Sequence, residues 1–174
     1  VIHQGALTIV GRETEAIIIK GINYHAHEIE NITEEVTGVE PSFAAAVAIR
    51  QADSTTDQLA LFFVPKSAAE NEIITTMQTI RYQIGRAFGI TPAYLIPVDK
   101  AQIPKTAIGK IQRKLLNQDF YNGEFDKIVQ HYDVLLENTN TLPNWFHKKV
   151  WQAVPLVGLP VSNNPAKGTL IFAD

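Results

Sequence analysis

The sequence predicts an α+β domain: a small β-sheet, a hairpin plus about three strands, flanked by helices and followed by a C-terminal helix and linker. Three observations predict it. Short apolar, β-branched runs such as Ala16–Lys20 and Gln58–Val64 are bounded by turn residues, as strands are. Ile73, Met77, Ile80, Ile84 and Phe88 recur at helical spacing. The resulting order, β-β, α, β-β, α, β, loop, α, mixes hairpins with helices and contains no long βαβ series.

Composition bounds the function. The chain has 174 residues, 45% hydrophobic and 19% charged, which suits a globular fold. Its net charge of −3 disfavours a nucleic-acid groove. With no cysteine, disulfides, zinc–thiolate centres and cysteine nucleophiles are excluded, and a reducing, cytoplasmic setting fits. No apolar run reaches membrane-spanning length, and no signal peptide is evident. The chain opens on Val1-Ile2-His3 without Met, so it is expected to be part of something larger.

Taken in order, Ala6–Val10 and Ala16–Lys20 read as two strands around a charged turn, Gly11-Arg12-Glu13-Thr14-Glu15, and Gly21-Ile22-Asn23 closes the second. His25 and His27, at i and i+2, are expected to point apart, so no metal site is assigned. Ile29, Ile32 and Val36 mark one face of a short helix that Gly38 is placed to end, with Glu34 and Glu35 towards solvent. Phe43–Arg50 and Gln58–Val64 form the next hairpin around a polar loop. Ser67-Ala68-Ala69-Glu70 matches a capping box for the helix that Gly89 should terminate. Tyr94–Val98 is a short strand. A helix runs from Arg113 through Leu116, with a break at Tyr121-Asn122-Gly123. Glu124–Glu137 is amphipathic, with Phe125, Ile128, Val129, Tyr132, Leu135 and Leu136 on one face.

The most informative stretch is 103–113, Ile-Pro-Lys-Thr-Ala-Ile-Gly-Lys-Ile-Gln-Arg. Pro104 stops a preceding element, and Gly109 permits a sharp bend before Lys110. A lysine so placed meets a phosphate or carboxylate as a compact point charge. A Walker-type loop is rejected, because Pro104 and Ile111 stand where glycine and Ser/Thr are needed. The plain alternative is a basic solvated loop ahead of a helix.

Pro104-Lys105-Thr106-x-x-Gly109-Lys110-Ile111-x-Arg113 resembles the C-terminal signature of adenylate-forming enzymes of the AMP-binding superfamily. The stretch from Leu7 to Tyr24, ending in Glu28-Ile29-Glu30, resembles a second signature: a Gly-Arg turn, an isoleucine-rich strand, a glycine and a closing Ile-Glu. Asn23-Tyr24 after the glycine looks most like the fatty acyl-AMP ligases and assembly-line loading ligases. The resemblance implies roles. Lys110 would bridge carboxylate and α-phosphate in adenylation, supported by Lys105, Thr106 and Gly109. Arg12 would approach the nucleotide ribose, and Glu15 would be the hinge. Gly21, Ile22 and Asn23 would line the carrier or pantetheine approach. Two positions depart from the family: Thr14 stands where Lys is usual, and Glu15 where Asp is usual.

The resemblance further implies ATP/AMP with Mg2+, held mainly by an N-terminal core domain of the same ligase, and phosphopantetheine on an acyl carrier protein. The expected organisation is a ligase subdomain at 1–120, an amphipathic helix and linker at 121–143, and a further segment at 144–174. That last segment, with Trp145–Trp151 and Gly168–Asp174, resembles the start of a ketoreductase domain; an extension folding back on the domain is the alternative. The function expected is the mobile lid of an acyl-AMP ligase in a polyketide or nonribosomal peptide synthase, inactive by itself. A degenerate scaffold or carrier-docking domain is the alternative that Thr14 and Glu15 keep open. A stand-alone nucleotide-binding regulator has only the lysine loop behind it.

Overall fold

A computed structural model describes residues 2–3, 6–7, 16–50 and 55–138. They lie in the first of two compact units, Val1–Leu142; the second is Pro143–Asp174. Expectations that fall on the Gly11–Glu15 turn, on Arg12, Thr14 and Glu15, and on the tail after Pro143 lie outside the described residues.

The centre is a three-stranded sheet. Strand β5 (Val39–Ile49) pairs antiparallel with β6 (Gln58–Pro65), and β6 pairs parallel with β7 (Tyr94–Pro97). The parallel pair requires a crossover, which α2 (Glu70–Phe88) supplies. Strand β6 lies in the middle and is apolar on both faces. Its alternate side chains sort cleanly: Leu59, Leu61 and Phe63 enter one core, Ala60, Phe62 and Val64 the other. On the first face lie α1 (Ala26–Glu34) and α2, through Ile29, Ile73, Met77, Ile80 and Ile84. On the second lie α3 (Arg113–Tyr121) and α4 (Asp126–Leu135), through Leu116, Phe125 and Val129. The Phe62 ring meets Phe120 and Phe125 edge-on, at 6.4 and 5.0 Å between centroids. Fully burying a side chain of this size stabilises by about 1.5–3 kcal/mol.

Two smaller pairs precede this sheet: β1 (Ile2–His3) with β2 (Ala6–Leu7), and β3 (Ala16–Ile19) with β4 (Ile22–His25). Strand β4 corrects the sequence reading, in which Gly21-Ile22-Asn23 merely closed β3. Lys20 and Gly21 both have positive φ, 51° and 81°, between the paired residues Ile19 and Ile22. Left-handed geometry at both central residues is the two-residue turn that matches strand twist. The chain therefore reverses and pairs with itself.

Four further expectations are corrected. Helix α1 ends at Glu34, and Gly38 is no helix cap; a Cβ there would lie 2.1 Å from Thr76 Oγ1, so glycine is present for close approach to α2. Ser67 and Glu70 form no capping box: α2 starts at Glu70 with Ala69 as N-cap, and the Glu70 carboxylate is held by His131 of α4 at 2.7 Å. A capping box does form at Asp99–Gln102, around a 3-10 turn. His25 and His27 do not point apart. The switch from strand to helix at Ala26 leaves their rings 5.6 Å apart. Leu135, expected on the buried face of α4, is 39% exposed. Gly89 does cap α2, left-handed at φ 67°.

Candidate functional site

The lysine loop is a tight hairpin. Lys105 and Ile111 pair antiparallel across it. The Gln112 N–H donates to the Pro104 carbonyl, and the Thr106 N–H to the Lys110 carbonyl, both at 2.8 Å. At the tip, the Gly109 N–H donates to the Thr106 carbonyl at 2.8 Å, and Gly109 is left-handed at φ 82°. Such a turn followed by a left-handed residue is a common way to close a hairpin, and it favours glycine there. The Thr106 hydroxyl accepts the Lys110 N–H at 3.1 Å, so the threonine fixes the backbone of the lysine itself. Ile108 at the tip is 90% exposed, and Lys110 is exposed beside it.

Two anchors hold this hairpin to the sheet. The first is Lys105. Its Nζ donates to the Ser42 carbonyl at 2.8 Å and lies 3.3 Å from the centre of the Phe43 ring. Both residues sit in an irregularity of β5 between Val39 and Ala44, where Ser42 has φ 66°. Lys100 lies near the same ring at 5.3 Å and pairs with Glu40 at 2.7 Å. That hydrogen bond is the main reason the Glu40 carboxyl titrates below its ordinary value.

The second anchor is Arg113, the first residue of α3. Its Nη2 meets Glu30 Oε2 at 2.6 Å and its Nε meets Oε1 at 2.9 Å. Oε1 also accepts the Ala46 N–H of β5 at 2.8 Å. The Arg113 and Glu30 side chains are only 19% and 10% exposed. Breaking such a buried pair by removing one partner typically costs about 3–5 kcal/mol. In the sequence Glu30 stands only at the end of a signature, with no role of its own. The available signal was its position: it shares the buried stripe of α1 with Ala26, Ile29 and Thr33, where a charge needs a partner.

The same outer edge of β5 is bound twice more. Asn117 Nδ2 donates to the Ala48 carbonyl at 2.7 Å. The Tyr121 hydroxyl accepts the Arg50 N–H at 2.8 Å and lies 3.0 Å from the Arg50 carbonyl. Between β3, this edge and the start of α3 runs an open groove of about 820 Å³. Ala16, Ala46, Ile111, Arg113 and Asn117 are among the residues lining it.

Gly21, Ile22 and Asn23 lie on the other hairpin, at the β3–β4 turn, all exposed. Ile22 is 57% and Ile18 44% exposed. This hairpin is tied to the β6 end of the sheet. The Asp57 N–H donates to the Ile18 carbonyl, the Ile18 N–H to Asp57 Oδ2, and the Lys20 N–H to the Thr56 hydroxyl. Lys105, Thr106, Gly109 and Lys110 are thus gathered in one hairpin, and Gly21–Asn23 form a second. Arg12 and Glu15 lie outside the described residues. Among the described residues no group of three metal-ligating side chains converges, and no helix is long and apolar enough to cross a membrane.

No protein-family model matches the chain. Among curated proteins it is 27% identical over 141 residues to an atromentin synthetase of Paxillus involutus, covering 78% of this chain and 15% of that protein. It is 30% identical over 142 residues to the nonribosomal peptide synthetase btyA of Aspergillus terreus, with 80% and 15% covered. The chain therefore spans about 15% of the length of these relatives. Two solved structures are more alike. One is McyG A-PCP complexed with phenylalanyl-adenylate: 41% identity, TM-score 0.72, 78% of this chain and 21% of that one. The other is the adenylation, ketoreductase and pseudo-Asub multidomain structure of a keto acid-selecting NRPS module: 46% identity, TM-score 0.73, 82% and 12% covered.

Proposed function

We propose that this chain, a relative of the adenylation domains of the AMP-binding superfamily and consistent with their C-terminal subdomain, is the mobile lid of an acid-activating enzyme in a cytoplasmic assembly line. The reaction proposed for the whole protein is acid plus ATP giving acyl-AMP and pyrophosphate, then transfer of the acyl group to a carrier-protein thiol. The observation that carries the reading is the preorganised hairpin that presents Lys110. A carboxylate is repelled by the triphosphate it must attack, and negative charge builds at the α-phosphorus. A lysine aimed at both groups offsets the repulsion and stabilises that charge. The fixed backbone around Lys110 supports this role, since a cation held in place needs no reorganisation when the charge develops.

Delivering the lysine on a separate subdomain lets one active site first exclude water and later admit a thiol. In this reading Arg12 contacts the ribose, Glu15 is the hinge, and the Gly21–Asn23 turn faces the pantetheine arm in the second pose. ATP and Mg2+ would be held mainly by an N-terminal core domain, so the chain alone would have no turnover. A polyketide as well as a peptide assembly line could house it. A following ketoreductase is also proposed, on the pattern of Gly168–Asp174 and the 46% identity to a module that contains one. The solved module of 46% identity selects a keto acid, and a keto acid is the substrate class proposed here as well.

The test is acid-dependent ATP–pyrophosphate exchange by the full-length protein with Lys110 intact and with Lys110→Ala. A fall of about 100-fold or more is expected. Equal exchange in both proteins would sink the catalytic role of Lys110 and leave the scaffold reading.

A further inference from the structure

Glu30 has a use that its distance in sequence from the lysine loop conceals. One carboxylate joins three elements: α1, which carries it; β5, through the Ala46 N–H; and α3, through the bidentate pair with Arg113. Arg113 lies three residues after Lys110. An extended chain of that length spans at most about 11 Å. The intervening Ile111 and Gln112 are themselves bonded into the hairpin, to Lys105 and Pro104. A shift at Arg113 is therefore passed to Lys110 through a short, already ordered segment. On the other side, Lys105 is held at the β5 irregularity by Phe43 and Ser42. The hairpin has two supports, and Glu30 is the buried one.

We propose that Glu30 is a positioning residue for Lys110: acting through Arg113, it sets where the lysine ammonium stands during adenylation and has no part in the later acyl transfer. The inference rests on the adenylation role proposed above for Lys110. Misplacing a reacting group by about 1 Å can cost about 100-fold in rate. Glu30→Gln is the informative change. The amide keeps an oxygen for the Ala46 N–H but turns an NH2 towards the Arg113 guanidinium, so donor faces donor. The tie to β5 survives, while the tie to α3 loses its charge and its shorter Oε2–Nη2 arm and keeps only the Nε bond to the remaining oxygen.

The experiment uses the full-length protein and measures two half-reactions. ATP–pyrophosphate exchange reports adenylation. Loading of a pantetheine-bearing carrier protein from supplied acyl-adenylate reports transfer. Glu30→Gln should lower the maximal exchange rate about 10- to 100-fold, with the KM for ATP within about threefold and transfer within about twofold of the unaltered protein. Arg113→Lys, which keeps a charge but loses the fork, should show a smaller fall confined to exchange. It decides the matter by the same criterion if Glu30→Gln melts too low to assay. Lys110→Ala serves as the reference. If Lys110→Ala loses exchange while both Glu30→Gln and Arg113→Lys keep it, the positioning role is overturned and the adenylation reading stands. If the variants lose exchange and transfer equally, the pair is only a structural brace and the proposal is again overturned. If Lys110→Ala itself retains exchange, the adenylation reading and this proposal both fall.

Discussion

Gly38 offers a test of the packing that needs no knowledge of the reaction. A methyl group added at Gly38 would lie 2.1 Å from Thr76 Oγ1, 3.0 Å from its Cγ2 and 3.1 Å from its Cβ. Thr76 is 8% exposed and its hydroxyl donates to the Glu72 carbonyl at 2.8 Å, so it cannot swing away freely. Gly38 is not among the residues with positive φ, so alanine meets no backbone penalty there. Overpacking of this kind costs about 1–3 kcal/mol. Loss of the Thr76 hydrogen bond adds about 1 kcal/mol. Against both stands a gain of about 0.4–1 kcal/mol from a less flexible unfolded chain. Gly38→Ala alone should therefore destabilise by about 1–3 kcal/mol. In a Thr76→Ala background the nearest clash disappears, leaving the contact with Cβ, and the same substitution should be neutral or slightly stabilising. The sign of the effect depends on one side chain 38 positions away. Urea unfolding of the chain with the four corners of this double-mutant cycle measures it, with a coupling of about 1–3 kcal/mol expected. A coupling below about 0.5 kcal/mol would refute the close approach of α2 to the start of β5.

Two further predictions concern the support of the lysine hairpin. Phe43→Leu removes the ring beneath Lys105 and should cost about 0.5–2 kcal/mol locally; amide exchange should quicken at Thr106 and Gly109 and stay unchanged in β6, and equal protection at Thr106 would show that the ring contributes nothing. The Glu40 carboxyl titrates below 4.5, first through its hydrogen bond to Lys100, with burial opposing and the charges of Lys100 and Lys66 assisting. A folded value below the unfolded one adds stability above the unfolded value, and that stability is lost as pH falls through the folded one. Lys100→Met should move the Glu40 titration, followed by carboxyl NMR, back up towards 4.5, and an unmoved midpoint would exclude the pair.

Much of this architecture was legible in local pattern. Strand β6 and helix α2 carry their own periodicities, so their positions followed from the order of apolar residues. The lysine hairpin was legible because Pro104 and Gly109 act on the backbone within a few residues. The failures have physical causes. Strand β4 is barely buried, so no apolar alternation marks it, and its turn places a lysine, Lys20, at positive φ where asparagine or glycine is expected. The Ser67–Glu70 capping pattern lost to a tertiary contact, since His131 lies 61 residues from Glu70 and leaves no local trace. The Glu30–Arg113 pair spans 83 residues. Its two ends were visible as a charge on a buried stripe and a motif arginine, but only the folded chain joins them.

The side chains that occupy the outer edge of β5 also bear on how such a domain lives among neighbours. An edge strand is a template on which any extended segment can add itself. Here the Ala46 N–H, the Ala48 carbonyl and both Arg50 peptide groups are already engaged by Glu30, Asn117 and Tyr121, each from a helix. A passing strand from another domain would have to displace these side chains to form ladder bonds at those groups. In the multidomain assembly line proposed above, where tethering would keep local concentrations high, that competition would favour contacts that release over contacts that fuse. The mobile lid proposed above would change partners within each reaction cycle and would need surfaces of the first kind.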